Sequence, residues 1–150
     1  MVSRRALVGR LAGTLALAGL AGCGGNGGDG DSTSSSSGSA SSSVTVEMTD
    51  DLTFEPKIAH VAAGGTVTWK NVGVVPHSVT AYGDGIPSDA AYFASGGFES
   101  ESAAVKAYPE EGALGEDETY SHTFDVPGTY RYYCIPHESA GMKGTIVVEK

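Results

Sequence analysis

Residues 133–142 read Tyr-Cys-Ile-Pro-His-Glu-Ser-Ala-Gly-Met and carry a cysteine, a histidine and a methionine at the spacing Cys-x2-His-x4-Met. The segment separates two runs rich in β-branched and aromatic residues, 128–134 and 144–149, so we expect a loop between two strands. The thiolate of Cys134, the imidazole of His137 and the thioether of Met142 are donors that suit copper. The segment therefore predicts three ligands of a copper site.

A fourth ligand is expected from His77, which follows the rigid Pro76 at the start of another strand-like run. Two imidazoles and a thiolate, with a weakly bound axial methionine, form the ligand set of blue copper electron-transfer sites. Neutral and soft donors suit both copper oxidation states, and four protein ligands leave no open position for a substrate. We therefore predict one type 1 copper ion bound by His77, Cys134, His137 and Met142, and no enzymatic activity.

These motifs resemble those of plastocyanin-type blue copper proteins, and most of all the halocyanins. The resemblance covers residues 44–150 and is carried by residues 71–77, residues 128–134, the copper loop and Gly144. It implies the all-β Greek-key β-sandwich of cupredoxins and a role in carrying single electrons. One residue departs from the family pattern, because Ser78 stands where plastocyanins usually have asparagine, at a position that affects hydrogen bonding to the copper thiolate.

The resemblance also implies two electron routes. In plastocyanins the tyrosine that matches Tyr133 marks a remote route, and the histidine that matches His137 reaches an apolar surface patch that gives a short route. A core role for Tyr133 is the alternative. A group of acids could lie near Tyr133, as in some relatives, although general acidity could produce the same group: Glu110, Glu111, Glu116, Asp117 and Glu118.

The rest of the folded part reads as short strands. Apolar and β-branched runs bounded by turn residues predict strands at 44–48, 57–61, 66–71, 78–81, 119–124, 128–134 and 144–149. Many short strands favour an antiparallel sandwich or barrel, with turns at Gly64-Gly65 and at residues 126–128. Residues 82–118 are expected to form a long excursion with one short helix near 100–107. His60 and His122 are interpreted as strand residues outside the copper site.

The N-terminal quarter is predicted to be an export and anchoring segment. Residues 1–22 combine a basic start at Arg4, Arg5 and Arg10 with a short apolar stretch, which is typical of a signal peptide. Cys23 follows Leu-Ala-Gly and resembles the lipid-bearing cysteine of bacterial-type lipoproteins. Residues 3–8 also resemble a twin-arginine export signal, with ordinary secretion as the alternative. A disulfide between Cys23 and Cys134 is not expected, since both have other uses.

Residues 23–43 are nearly all Gly, Ser, Asp, Thr and Ala, and predict a flexible tether before the copper domain of residues 44–150. Without residues 1–22 the chain has six basic and 18 acidic residues, a formal charge of −12. This charge argues against nucleic acid as a partner. It is interpreted first as solvation in high salt and second as a docking patch.

Together these features predict a lipid-anchored electron carrier on the outer face of the cytoplasmic membrane, whose donor and acceptor are membrane redox complexes or soluble redox proteins. A copper storage or delivery protein is the alternative, although the chain has only three methionines, including Met1. A copper oxidase or nitrite-reducing enzyme is disfavoured, because the chain contains no His-x-His pair and 150 residues leave no room for further domains.

Overall fold

The computed structural model describes residues 40–150. The predicted signal peptide, the predicted lipid attachment at Cys23 and most of the predicted tether lie outside the described residues. The elements are β1 (Ser41–Met48), β2 (Phe54–Glu55), β3 (Ile58–Asn71), β4 (Thr80–Ala81), α1 (Glu101–Ala107), β5 (Thr119–Phe124), β6 (Gly128–Tyr133), a 3₁₀ helix (Ile135–Ala140) and β7 (Lys143–Glu149). Within residues 40–150, neither helix has the length and apolar character needed to cross a membrane. The predicted all-β fold class is confirmed.

The strands form because apolar and polar residues alternate, so that one face of each strand can be buried. In β3, Val67 and Trp69 are fully buried while Thr68 between them is only partly covered. In β7, Ile146 and Val148 are buried in the same way. Both segments were predicted to be strands from the sequence.

Strand β3 joins the two halves of the sandwich. The strand order is β2-β1-β3-β7-β6-β4, and β5 also pairs with β3. Residues 58–62 of β3 pair with β7, whereas residues 65–71 pair with β1 and β5. The β1–β3 and β3–β7 pairings are parallel, so the expectation of an antiparallel sandwich is correct only for the other pairings. Alternation fixes which face of a strand is buried but not which strand lies beside it.

The turn predicted at Gly64-Gly65 is a bend inside β3, not a loop between two strands. Gly64 has a φ of +83°, which a residue with a side chain rarely adopts. A Cβ on Gly65 would lie 2.5 Å from Cγ2 of Val61 and 2.8 Å from the carbonyl oxygen of Ala62. The two glycines therefore allow β3 to change partners without leaving the sheet.

Several element boundaries differ from the expected ones. β1 begins at Ser41, three residues inside the predicted tether, because ladder hydrogen bonds do not require apolar side chains. β4 is limited to Thr80–Ala81, and β6 ends at Tyr133, one residue before the cysteine. The short helix expected near residues 100–107 is present as α1, and the Ser100 hydroxyl caps it by accepting from the amide of Ala103 at 3.3 Å.

The core is organised around Trp69, which is fully buried. Its ring stacks on Phe93 and Tyr120, with ring centres 5.7 and 5.6 Å away, and meets Tyr132 edge-on at 5.4 Å. Aromatic contacts of this kind each contribute about 0.5–1.5 kcal/mol beyond the burial of their area. The excursion of residues 82–118 thus supplies Phe93 to the core.

The segments that carry the predicted ligands meet at one end of the sandwich. β6 and β7 are antiparallel neighbours, and Tyr133 pairs with Lys143, so the residues that follow β6 and precede β7 lie side by side. The loop after β3 reaches the same end, because His77 forms a bridge with Leu114 and approaches Cys134. The scaffold therefore places residues 71–77 beside residues 134–142.

Candidate metal centre

Three of the four predicted ligands converge at this end of the sandwich. Sγ of Cys134 lies 3.3 Å from Nδ1 of His137 and 3.8 Å from Nδ1 of His77, and the two imidazole nitrogens are 3.3 Å apart. Within residues 40–150 these three side chains form the group of donor atoms that could hold a metal ion. His77 and Cys134 are fully buried, and His137 is partly exposed.

The loop between β6 and β7 is held by its own backbone. The amide of Cys134 donates to the carbonyl of Met142, the amide of His137 donates to the carbonyl of Cys134, and the amide of Met142 donates to the carbonyl of His137, each at 3.1 Å. Pro136 lies in the first turn of the 3₁₀ helix, and Gly141 ends it with a φ of +89°. Met142, the fourth predicted ligand, is thus fixed against Cys134 and His137 and is fully buried.

His77 is positioned by a separate set of hydrogen bonds. Its amide donates to the carbonyl of Leu114 at 3.0 Å, and its carbonyl accepts from the amide of Leu114 at 2.7 Å. The buried Asn71 donates through Nδ2 to the carbonyls of Val75 and Leu114 at 2.8 and 3.0 Å, and its Oδ1 accepts from the amide of Gly73 at 2.9 Å. Asn71 therefore clasps the loop that carries His77.

Ser78 connects the two ligand-bearing segments. Its amide donates to Sγ of Cys134 at 3.3 Å, and its hydroxyl accepts from the amide of Ile135 at 2.8 Å. Burial raises the pKa of the Cys134 thiol, whereas the hydrogen bonds from Ser78 act in the opposite direction and favour the thiolate. The residue that departs from the family pattern therefore still provides a hydrogen bond at the sulfur, through its backbone amide.

The protonation of His77 also suits a metal. Burial lowers the pKa of His77, and so does the neighbouring His137, which keeps the imidazole in the neutral form that binds metal ions. Two imidazoles, a buried thiol that can be deprotonated and an adjacent buried thioether form a donor set that fits copper. The hydrogen bonds within and between the two ligand-bearing segments hold these donors close together.

Tyr133 lies beside the site in a pair of stacked tyrosines. Its ring stacks on Tyr82 with centres 4.4 Å apart, and its hydroxyl donates to Glu101 at 2.9 Å. The hydroxyl of Tyr82 donates to Glu138 at 2.7 Å. The carboxylates bonded to this pair are therefore Glu101 and Glu138, neither of which belongs to the acidic group predicted from residues 110–118. Tyr133 is buried in this pair, but it does not belong to the hydrophobic core cluster of residues 40–150.

The other two histidines lie elsewhere, as predicted. His60 is exposed, and its Nδ1 is 2.7 Å from a carboxylate oxygen of Glu149. His122 is partly buried and stacks on Phe93 with ring centres 5.1 Å apart. Cys134 is a free thiol among the described residues.

Sequence reasoning missed the clasping role of Asn71 and the contact between Glu101 and Tyr133. An asparagine at a strand end two residues before a glycine often forms hydrogen bonds to the backbone of its own loop. The role of Asn71 was therefore detectable from the sequence. The second joins residues 32 positions apart, and no local pattern indicates it.

Comparisons with known proteins agree with this geometry. The sequence model of the family described as copper binding proteins, plastocyanin/azurin family, matches residues 40–149. The chain is 41% identical over 109 residues to plastocyanin from Scenedesmus fuscus, covering 71% of this chain and 99% of that protein. It is 38% identical over 110 residues to chloroplastic plastocyanin from Physcomitrium patens, covering 71% of this chain and 58% of that protein.

A solved structure gives the same result. The oxidised form of plastocyanin from Dryopteris crassirhizoma superposes with a TM-score of 0.53 at 30% identity, covering 71% of this chain and 100% of that one.

Proposed function

This chain belongs to the plastocyanin/azurin family of copper-binding proteins, and we propose that it carries single electrons while a lipid anchor holds it at the outer face of the cytoplasmic membrane. The chain is a plastocyanin-like blue copper electron carrier with one type 1 copper ion, and not an enzyme. The anchor, the halocyanin character and the identity of the redox partners are the parts that we propose.

The observation that carries the proposal is the convergence of the buried donors of His77 and Cys134 with that of the partly exposed His137. These residues would hold a copper ion, which would supply a one-electron couple between Cu(I) and Cu(II). Asn71, Ser78 and the hydrogen-bonded loop keep the donors in place, which limits the rearrangement that electron transfer requires. We propose Met142 as the axial ligand that completes the set.

We propose two positions at which electrons enter or leave. His137 is the member of the three-donor group that is partly exposed, so its imidazole edge offers the shorter route. The loop leading to His77 exposes two valines, Val72 and Val74, which supply apolar surface at this end of the molecule. Tyr133 is covalently adjacent to Cys134 and stacks on Tyr82, and this pair gives the longer route.

The anchor is proposed from sequence together with one feature of the fold. β1 begins at Ser41, and its other end, Met48, pairs with Asn71 next to the site. An eight-residue strand spans roughly 25 Å, so the tether would enter at the end opposite the copper ligands. The Gly/Ser-rich tether predicted for residues 23–43 would, as a coil, add a reach of roughly 25 Å. A tether attached there would leave the copper end free to meet redox complexes in the same membrane.

A copper storage or delivery role is less consistent with the site. Delivery requires metal to leave easily, whereas His77 and Cys134 are fully buried and clasped by hydrogen bonds. The two functions differ in one measurement. The copper-loaded protein is cycled between oxidant and reductant beside a competing copper chelator, while the blue absorption is followed. We expect the colour to bleach and return over many cycles, and transfer of copper to the chelator in the first cycles would favour delivery.

A further inference from the structure

A groove on the outer face of β6 and β7 is separate from the predicted copper ligands. It has a volume of about 430 Å³, and its walls include Lys57, Tyr82, Arg131, Glu138, Lys143 and Thr145. Arg131 and Thr145 are paired neighbours on the two strands, and Tyr133 pairs with Lys143 two residues further along. The backbone of Lys57 lies beside β7, because its carbonyl accepts a hydrogen bond from the amide of Thr145 at 2.9 Å. The groove is therefore built on the rigid sheet.

The charge of this groove is unlike that of the rest of the domain. Residues 40–150 contain six basic and 16 acidic side chains. Three of these six basic residues line the groove, where Asp84 and Glu138 are the acidic members. The groove therefore carries one net positive charge on a strongly acidic domain. The general excess of acidic residues over the domain does not account for a groove of positive net charge.

The cations are positioned and only partly neutralised. Cζ of Arg131 is 5.7 Å and Nζ of Lys143 is 6.0 Å from the centre of the Tyr82 ring, so the same aromatic ring attracts both cations. The Tyr82 ring is itself fixed by its stacking on Tyr133 and its bond to Glu138. Lys143 is 3.8 Å from Glu138, but Lys57 and Arg131 form no ion pair within residues 40–150.

We propose that this groove binds a phosphate group. A guanidinium presents a planar pair of donors that matches the oxygens of phosphate, and two ammonium groups and the Thr145 hydroxyl add further donors. A phosphate dianion gains more from three cations than a single carboxylate does, which offsets repulsion by Asp84 and Glu138. The phosphate can come from free inorganic phosphate or from the headgroup of an anionic lipid. The inference does not rest on the proposed electron-carrier function.

The test is a calorimetric titration of the full-length protein with inorganic phosphate at constant ionic strength. We expect binding both with and without copper, because the groove contains no predicted metal ligand. Arg131→Gln and Lys57→Gln should each weaken binding on the order of 10-fold, the cost of losing one charged hydrogen bond. Lys70→Gln is the matched control, since Lys70 is partly exposed and pairs with Asp117 at 3.7 Å outside the groove. Lys70→Gln should leave the affinity unchanged.

Sedimentation with vesicles distinguishes the two sources of phosphate. Stronger binding to vesicles of an anionic phospholipid than to vesicles of phosphatidylcholine, reduced by Arg131→Gln, assigns the groove to a lipid headgroup. Phosphate binding in solution without this difference assigns it to the free anion. Absence of phosphate binding, or equal affinity in Arg131→Gln, Lys57→Gln and Lys70→Gln, overturns the proposal. Arg131 and Lys57 are exposed, and circular dichroism of each variant verifies its fold.

Discussion

The amide of Ser78 donates a hydrogen bond to Sγ of Cys134 across 3.3 Å, and the hydroxyl of the same residue accepts one from the amide of Ile135. Ser78 therefore contacts both the sulfur and the backbone of the loop that follows it. The first bond comes from the backbone of Ser78, and the second comes from its side chain. Only the second depends on which side chain stands at this position.

Ser78→Ala removes the hydroxyl bond and leaves the amide bond to Cys134 intact. We expect a loss of about 1 kcal/mol in the free energy of unfolding, with the copper colour retained. Urea denaturation of the copper-free protein measures the free energy of unfolding. The visible spectrum of the copper-loaded protein shows whether the colour is retained. Ser139→Ala, at an exposed position in the loop between β6 and β7, is the control and should change stability by less than about 0.5 kcal/mol. Equal stability of the two variants would show that the Ser78 hydroxyl contributes nothing.

Cys134→Ser is expected to abolish the blue colour while the sandwich stays folded. The colour arises from charge transfer between a thiolate and copper, and a hydroxyl cannot replace the thiolate. The visible spectrum after copper addition measures the change, and circular dichroism monitors the fold. A variant that remains blue would show that another residue supplies the sulfur or that the ligand set is wrong.

Met142→Leu should keep copper and colour but raise the reduction potential. The strong donors of His77, Cys134 and His137 survive, and only the weak axial contact is lost. Met48→Leu is the matched control, because Met48 is equally buried but lies on β1 and belongs to the hydrophobic core. Both substitutions conserve volume and should each cost less than about 1.5 kcal/mol of stability. A potential that is unchanged in Met142→Leu would make Met142 a core residue rather than a ligand.

The sequence predicted the fold class and the residues of the site because both depend on local patterns. Alternation in β3 and β7 and the Cys-x2-His-x4-Met spacing are visible within a few residues. The parallel pairing of β3 with β1 and β7 was not predictable, since it depends on which strands meet in space. The same limit applies to the contact of Glu101 with Tyr133. Long-range contacts of this kind leave no periodic trace in the sequence.

The stability of the folded domain should fall at alkaline pH because of its buried tyrosines. Burial raises the pKa of Tyr120 to about 12, and raises the pKa values of Tyr82, Tyr92, Tyr132 and Tyr133 even further. In the unfolded chain these phenols ionise near their ordinary pKa of about 10. Above that pH the unfolded chain therefore holds fewer protons than the folded one, and the free energy of unfolding decreases as pH rises.

Urea denaturation of the copper-free protein at about pH 9 and about pH 11 measures this effect. Tyr120→Phe removes one titrating group and should reduce the decrease in the free energy of unfolding between these two pH values. The ultraviolet absorbance of tyrosinate provides an independent check on the native protein. Ionisation of all tyrosines near pH 10 without unfolding would contradict the prediction, because it would mean that burial does not hold the phenols neutral.

Cys23→Ser should release the protein from the membrane fraction, or leave it unprocessed, without altering the copper spectrum. Cys23 follows an apolar signal and precedes a Gly/Ser-rich tether, and two acyl chains on one cysteine anchor a protein stably where a single chain does not. Cys134→Ser is the converse control, because it should lose the colour but stay in the membrane fraction. Mass spectrometry of the mature N-terminus decides between the possibilities. An unmodified Cys23, or cleavage elsewhere with a freely soluble product, would make the protein an exported carrier without an anchor.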